Sequence, residues 1–292
     1  MISHIEEYRK AGRAVGRALQ AGAELIEADV TYLEVAERME DMIRREAEMA
    51  FPVNVSVNEV AAHYTPAPDD ERVFAAGDIV KLDAGAHVNG YIGDAALTVI
   101  ADGSDNADLI ATAQKALGEA IELVQAGVTI AEIGQRIEET IISHGFQAVE
   151  NLQGHSLERY NLHAGLSIPN VANDNTRELQ AGEVIAIEPF ATDGAGRVVN
   201  GDSGNIYHMV GRGRGKTARA MQERFDGLPF ASRWMDGIVE RRRIDLSLAF
   251  LQRRRVIRPY SMLVEAEGGM VAQAEHTMLV TEDGCEILTE AA

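Results

Sequence analysis

Apolar residues recur at helical spacing in four stretches, about 4–26, 30–47, 106–126 and 129–144, and β-branched runs follow each pair. The spacing predicts two long helices, then strands, twice over. The two halves also resemble each other residue by residue. Val30-Thr31-Tyr32-Leu33-Glu34-Val35-Ala36-Glu37-Arg38-Met39-Glu40 reads like Val128-Thr129-Ile130-Ala131-Glu132-Ile133-Gly134-Gln135-Arg136-Ile137-Glu138. Ala76-Gly77-Asp78-Ile79-Val80-Lys81-Leu82-Asp83 matches Ala181-Gly182-Glu183-Val184-Ile185-Ala186-Ile187-Glu188, a turn running into a strand in both cases. The separations, 98 and 105 residues, agree to within a short insertion. The pattern implies an internal duplication of two α/β halves. Between them and the C-terminus, residues about 205–260 read as helices, including 218–225 and 244–251.

Duplication gives certain acids a meaning that a lone acid lacks. Asp83 and Glu188 each stand six residues after the turn glycine, in an apolar run, where the strands of a pseudo-symmetric fold bring counterparts face to face. Asp94 follows Asp83 across Asn89-Gly90, a strong hairpin signal that returns Asp94 to the level of Asp83. Glu275 lies in a strand pattern, Ala272 to Val280, in which Gln273, Glu275 and Thr277 share one face. With His155 of Gly154-His155-Ser156 they form four carboxylates and one imidazole. Acids held together repel unless a cation lies between them, so metal is the simplest resolution. Oxygen-rich ligation favours two divalent ions, Mn, Fe, Co or Zn, sharing a water, and hydrolysis follows from that chemistry. His63 and His163, 100 residues apart, read as symmetry mates able to hydrogen-bond a substrate carbonyl. The other histidines, His4, His87, His144, His208 and His276, are taken as ordinary surface or core residues.

Composition narrows the class. Hydrophobic content of 46% and charged content of 25% over 292 residues belong to a globular chain, and no run of eighteen apolar residues or signal-type segment occurs. Cys285 is the single cysteine, so a reducing, cytoplasmic compartment is expected and no membrane partner. A net charge of −19 opposes specific nucleic-acid binding over the whole surface. The four lysines against 23 arginines fit either a salt-rich cytoplasm or codon bias. Residues 211–260 reverse the sign, with 13 Arg plus Lys and 5 Asp plus Glu, chiefly in Arg241-Arg242-Arg243 and Arg253-Arg254-Arg255. A solvated helical face paired with the acidic body explains this; a contact to ribosomal RNA is the alternative. Gly211 to Thr217 is no P-loop, because Val210 stands where its first glycine belongs, and no G-x-S-x-G elbow is present.

Phe51-Pro52-Val53-Asn54, Asn58-Glu59-Val60-Ala61-Ala62-His63-Tyr64, Leu82-Asp83-Ala84-Gly85-Ala86-His87, Gly90-Tyr91-Ile92-Gly93-Asp94, Gly154-His155-Ser156, Asn161-Leu162-His163-Ala164-Gly165, Ala186-Ile187-Glu188-Pro189-Phe190 and Gln273-Ala274-Glu275-His276-Thr277 together resemble the type II methionine aminopeptidases in their short archaeal form. The resemblance covers nearly the whole chain. It implies the pita-bread fold, two α/β halves around a dinuclear metal site, with residues 1–204 and 261–292 as the catalytic domain and 205–260 as the helical insertion subdomain. By resemblance Asp83 chelates one ion, Asp94 and Glu275 bridge both, and His155 and Glu188 bind the other. His63 and His163 would polarise the carbonyl, Glu188 would shuttle protons, and Phe51, Pro52, Leu162 and Tyr260 would line the pocket for the methionine side chain. The implied substrates are N-termini of nascent polypeptides whose second residue is small. Because Ile2 follows it, Met1 of this chain is expected to be retained. A monomer is expected. The competing readings are an Xaa-Pro aminopeptidase or dipeptidase of the same fold, whose members usually carry an extra N-terminal domain, and a catalytically silent binding protein, which would have lost ligands.

Overall fold

Each half opens with two helices. In a computed structural model that describes residues 4–225 and 227–291, the first half runs α1 (Ile5–Ala23), α2 (Tyr32–Arg44), β1 (Glu48–Val57), β2 (Val60–Ala62), β3 (Ile79–Val88) and β4 (Tyr91–Ile100). The second runs α3 (Ala107–Ile121), α4 (Ile130–Ser143), β5 (Gln147–Ala148), β6 (Gln153–Ser156), β7 (Ser167–Pro169), β8 (Val184–Ile187) and β9 (Phe190–Thr192). An excursion of β10 (Val198–Met209), α5 (Lys216–Phe225), β11 (Phe230–Ala231), α6 (Ile244–Arg253) and β12 (Ile257–Glu265) follows, and β13 (Val271–Gln273), β14 (His276–Val280) and β15 (Cys285–Ile287) complete the second half. Met1 and Ile2, which bear on retention of the initiator methionine, lie outside the described residues.

The duplication is visible in matching hydrogen bonds. Thr31 and Thr129 cap α2 and α4, their hydroxyls accepting from the amides of Glu34 (3.1 Å) and Glu132 (3.3 Å). The turn glycine of each half donates to the returning strand, Gly77 to the carbonyl of Ala101 (2.6 Å) and Gly182 to that of Val280 (2.9 Å). β3 then pairs antiparallel with β4 as β8 pairs with β14. Asn89 and Gly90 form the two-residue turn between β3 and β4 with φ of 54° and 89°, values only such residues adopt cheaply.

Two apolar cores hold the halves. Val15, Leu19, Val35, Met39, Ile43, Val53 and Leu82 pack α1 and α2 on the sheet β1-β3-β4. Leu109, Ile133, Ile137, Ile185 and Met278 do the same for α3, α4 and the second-half strands. Each such side chain, fully buried, contributes about 1.5–3 kcal/mol.

Two sequence expectations are refined. The stretch 272–280 is not one strand: β13 pairs with β9 and β14 with β8, and Glu275 between them pairs instead with Ala96 of β4. The segment 205–260 is helical only in its middle, because its ends belong to β10 and β12, a long antiparallel ribbon in the sheet β11-β10-β12-β2. The excursion has its own core, with Met221, Phe225, Phe230, Leu248 and Leu251 buried together. It is fastened to the first half by a buried ion pair between Arg233 and Glu40 of α2. The same carboxylate accepts from the indole of Trp234 (2.7 Å) and the amide of Val53 (3.3 Å). Among the described residues no helix is long and apolar enough to cross a membrane.

Candidate metal centre

The hairpin register decides where the first two acids meet. Asp83 pairs with Ala96 and Asp94 with Gly85, so the two carboxylates lie diagonally on one face of β3 and β4. Glu188 follows β8 and Glu275 precedes β14, at the next register step beyond the Ile187 and His276 pair. His155 sits in β6 opposite Ala186 of β8. All five line one cavity of about 230 Å³, together with His63, His163, Phe51, Leu162 and Tyr260. Pro52, expected in the pocket for the methionine side chain, is the exception and does not line the cavity. It is buried outside the cavity lining, its carbonyl accepting from the Asn54 amide (2.9 Å), because β1 is irregular between Phe51 and Asn54 and neighbouring residues leave on opposite faces. None of the remaining five histidines lines the cavity.

The electrostatics are those of an uncompensated acidic cluster. Ligand atoms of Asp94, His155 and Glu275 all lie within 4.8 Å of one another. His155 Nε2 stands 3.6 Å from an Asp94 oxygen and 3.9 Å from a Glu188 oxygen, too far for hydrogen bonds. Enclosure pushes the Asp83 carboxyl up to about 7. Asp94 is raised well above the usual range by enclosure and then by the Asp83 charge; Glu188 and Glu275 are raised by enclosure and by their acidic neighbours. Burial pushes His155 down to about 3 and His63 down to about 4, and lowers His163, so all three imidazoles are neutral near pH 7. No lysine or arginine is among the residues lining the cavity. Asp83 Oδ1, Asp94 Oδ1 and His155 Nδ1 are buried without a partner. Orphaned oxygens, a neutral imidazole and no protein cation are what a divalent ion would satisfy, so the donor set fits metal.

Backbone strain and surrounding contacts shape the rest of the cavity. His63 adopts φ of 67°, an unusual value for a side-chain-bearing residue. Its carbonyl lies so close to Gly204 that a methyl group there would overlap it. The His63 ring meets Tyr260 edge-on at 5.2 Å, and the His163 ring meets His155 at 4.5 Å. Gln273 Nε2 donates to Glu275 (3.2 Å), orienting that carboxylate. Asn54, Ile206 and Pro229 also line the cavity. Asn54 lay within a quoted motif without a signal of its own, and Ile206 and Pro229 come from the excursion, where no local pattern points to them.

Residues 6–282 match the sequence family described as metallopeptidase family M24. The chain belongs to that family. Within it, the chain is 45% identical to a methionine aminopeptidase of Methanothermobacter thermautotrophicus over 99% of its own length and 100% of the relative's. Its fold superposes with a TM-score of 0.74 on the crystal structure of a methionine aminopeptidase from Thermotoga maritima, at 28% identity, covering 99% of this chain and 98% of that one. An X-Pro aminopeptidase from Thermotoga maritima shares the fold at a TM-score of 0.63 and 20% identity, and the match covers 98% of this chain and 60% of that structure. The architecture is the pita-bread fold.

Proposed function

We propose that this protein is a type II methionine aminopeptidase of the short archaeal form, which removes the initiator methionine from nascent chains whose second residue is small. The observation that carries the reading is the meeting of four carboxylates and a neutral imidazole, from five separate segments, in one cavity that Phe51, Leu162 and Tyr260 also line. Asp83 would hold one ion, Asp94 and Glu275 would be shared by two, and His155 and Glu188 would hold the other. When bound, two such ions would let the acids ionise together and would bring the pKa of a water between them to about 7.

The chain's own groups supply the remaining steps. The apolar wall takes the methionine side chain and sets the scissile carbonyl beside His63 and His163. Both imidazoles, kept neutral by burial, donate N–H to the carbonyl oxygen and to the oxyanion formed from it. Glu188, ionised once the ions balance the cluster, would receive the proton of the attacking water and return it to the departing amine.

Residues 1–204 with 261–292 form the catalytic domain in this reading, and 205–260 the insertion subdomain. It works as a cytoplasmic monomer. For the basic insert, pairing with the acidic body accounts for Arg241, which reaches Asp69 (2.6 Å). A ribosome contact is the alternative reading for the insert, supported by exposed Leu246 and Phe250 on α6 between the arginine triplets. Unaltered ribosome co-sedimentation after replacement of both triplets would dispose of it.

The deciding experiment supplies Mn, Fe, Co or Zn in turn and offers a Met-Ala-Ser peptide beside an Xaa-Pro peptide. Free methionine from the first alone is expected; turnover of only the proline peptide would reassign the enzyme.

A further inference from the structure

Asn54 is 3% exposed, lines the same cavity, and stands directly opposite Asp83 in the pairing of β1 with β3. Its amide orientation is fixed by chemistry. One end is 2.9 Å from the carbonyl of Pro52, which only accepts, so that end is the NH₂ and the other is Oδ1. Oδ1 has no partner. Ser56, Asn170, Ser232 and Gln273 also carry buried partnerless oxygens, yet none of the four lines the cavity. Asn54 Oδ1 is therefore a neutral acceptor kept beside the acid cluster with nothing in the protein to bind.

Buried acceptors are rarely left unmatched, and an unmatched one in a binding cavity marks where a ligand donor goes. The donors an aminopeptidase must recognise are the N–H groups of a free α-amine. The carboxylates next to Asn54 are committed, in the reading above, to balancing positive charge. A neutral amide oxygen adds a directed hydrogen bond without adding a further negative charge to a cluster already strained by repulsion. We infer that Asn54 is a substrate-binding residue whose Oδ1 accepts a hydrogen bond from the free α-amine of the N-terminal methionine, fixing the amino end of the substrate beside Asp83.

This rests on the aminopeptidase reading, and the test separates the two. The metal-loaded full chain and its Asn54→Ala and Asn54→Asp variants are assayed on Met-Ala-Ser, with inhibition by L-methioninol and by 4-(methylthio)butan-1-ol, which differ only in the amine. Expected for Asn54→Ala is a rise in KM of about tenfold with kcat within about threefold, and an unchanged number of metal ions per chain. Methioninol should lose about tenfold in affinity while the amine-free alcohol keeps its own. Asn54→Asp, which retains an acceptor at that position, should preserve the preference for methioninol. Equal loss for both alcohols would overturn the inference in favour of a packing role, and loss of bound metal from Asn54→Ala would overturn it in favour of a cation ligand. Failure of the unmodified protein to cleave Met-Ala-Ser would instead sink the aminopeptidase reading.

Discussion

Ala96 and Glu275 exchange both backbone hydrogen bonds, Glu275 donating at 2.9 Å and Ala96 at 3.4 Å, and so join the two halves at the level of the acid cluster. The pair occupies equivalent places in the repeat. Ala96 stands opposite Asp83, and Glu275 is one step beyond His276, which stands opposite Ile187, the neighbour of Glu188. Two threonines repeat the theme on either side. Thr98 Oγ1 donates to the Gln273 carbonyl (2.6 Å) and accepts from its amide (2.8 Å). Thr277 Oγ1 donates to the Asp94 carbonyl (2.7 Å) and accepts from its amide (2.9 Å).

Thr277→Val keeps the shape and removes the hydroxyl that holds the backbone of Asp94. A buried amide and carbonyl lose their partner, so a cost of about 1–3 kcal/mol is expected. Metal affinity should fall about tenfold or more, because the hydroxyl fixes the backbone of Asp94, a ligand in the proposed site. Thr98→Val should cost similar stability with a smaller effect on metal. Urea denaturation and Mn titration calorimetry check both; equal metal loss in the two variants would contradict the assignment.

Metal-free protein should lose stability between pH 6.5 and 8. The four acids have folded-state pKa values above their unfolded ones, Asp83 at about 7 and the other three raised well above the ordinary carboxylate range by enclosure and by one another. The folded state therefore binds more protons than the unfolded state in this window, and stability falls as pH rises. The buried imidazoles act in the opposite sense, but below about 6.5, where the unfolded rings titrate. Lys81, pushed down to about 7 by burial, opposes the acids above that pH. Thermal melting at pH 6.5 and 8, without and with Mn, checks the direction: the fall should appear without metal and largely vanish with it.

Glu40→Gln or Arg233→Met breaks the buried pair that fastens the excursion to α2. Glu40→Gln should destabilise by about 3–5 kcal/mol, since buried Arg233 is left without its carboxylate, and Arg233→Met should cost less, because Glu40 keeps Arg44 at 3.0 Å. The double replacement should cost clearly less than the two added together. Additive losses in urea denaturation would mean that the charges do not act as a pair.

Gly204→Ala forces a methyl group onto the carbonyl of His63. His63 must then leave its φ of 67°, and if His63 is the donor proposed above, a displacement of about 1 Å reduces turnover by roughly a hundredfold. Bound metal should be unaffected, as the atoms nearest that methyl belong to His63 and Tyr64 and to none of the five proposed ligands. A variant with undiminished kcat would remove His63 from the mechanism.

The repeat, the four long helices and the Asn89-Gly90 hairpin were all written in local order, because helical spacing and turn residues act over a few positions. The family motifs were legible for the same reason, as short strings around Asp83, Asp94, His155, Glu188 and Glu275. Tertiary structure alone decided that β13 and β14 part at Glu275, since that break is stabilised by Ala96, 179 residues away. It also decided that Pro52 turns away from the cavity while Asn54 joins it, and that Ile206 and Pro229 arrive from the excursion. The orphaned oxygen of Asn54 exists only once every neighbour is in place, because hydrogen-bond satisfaction is a property of the packed interior and not of any stretch of chain.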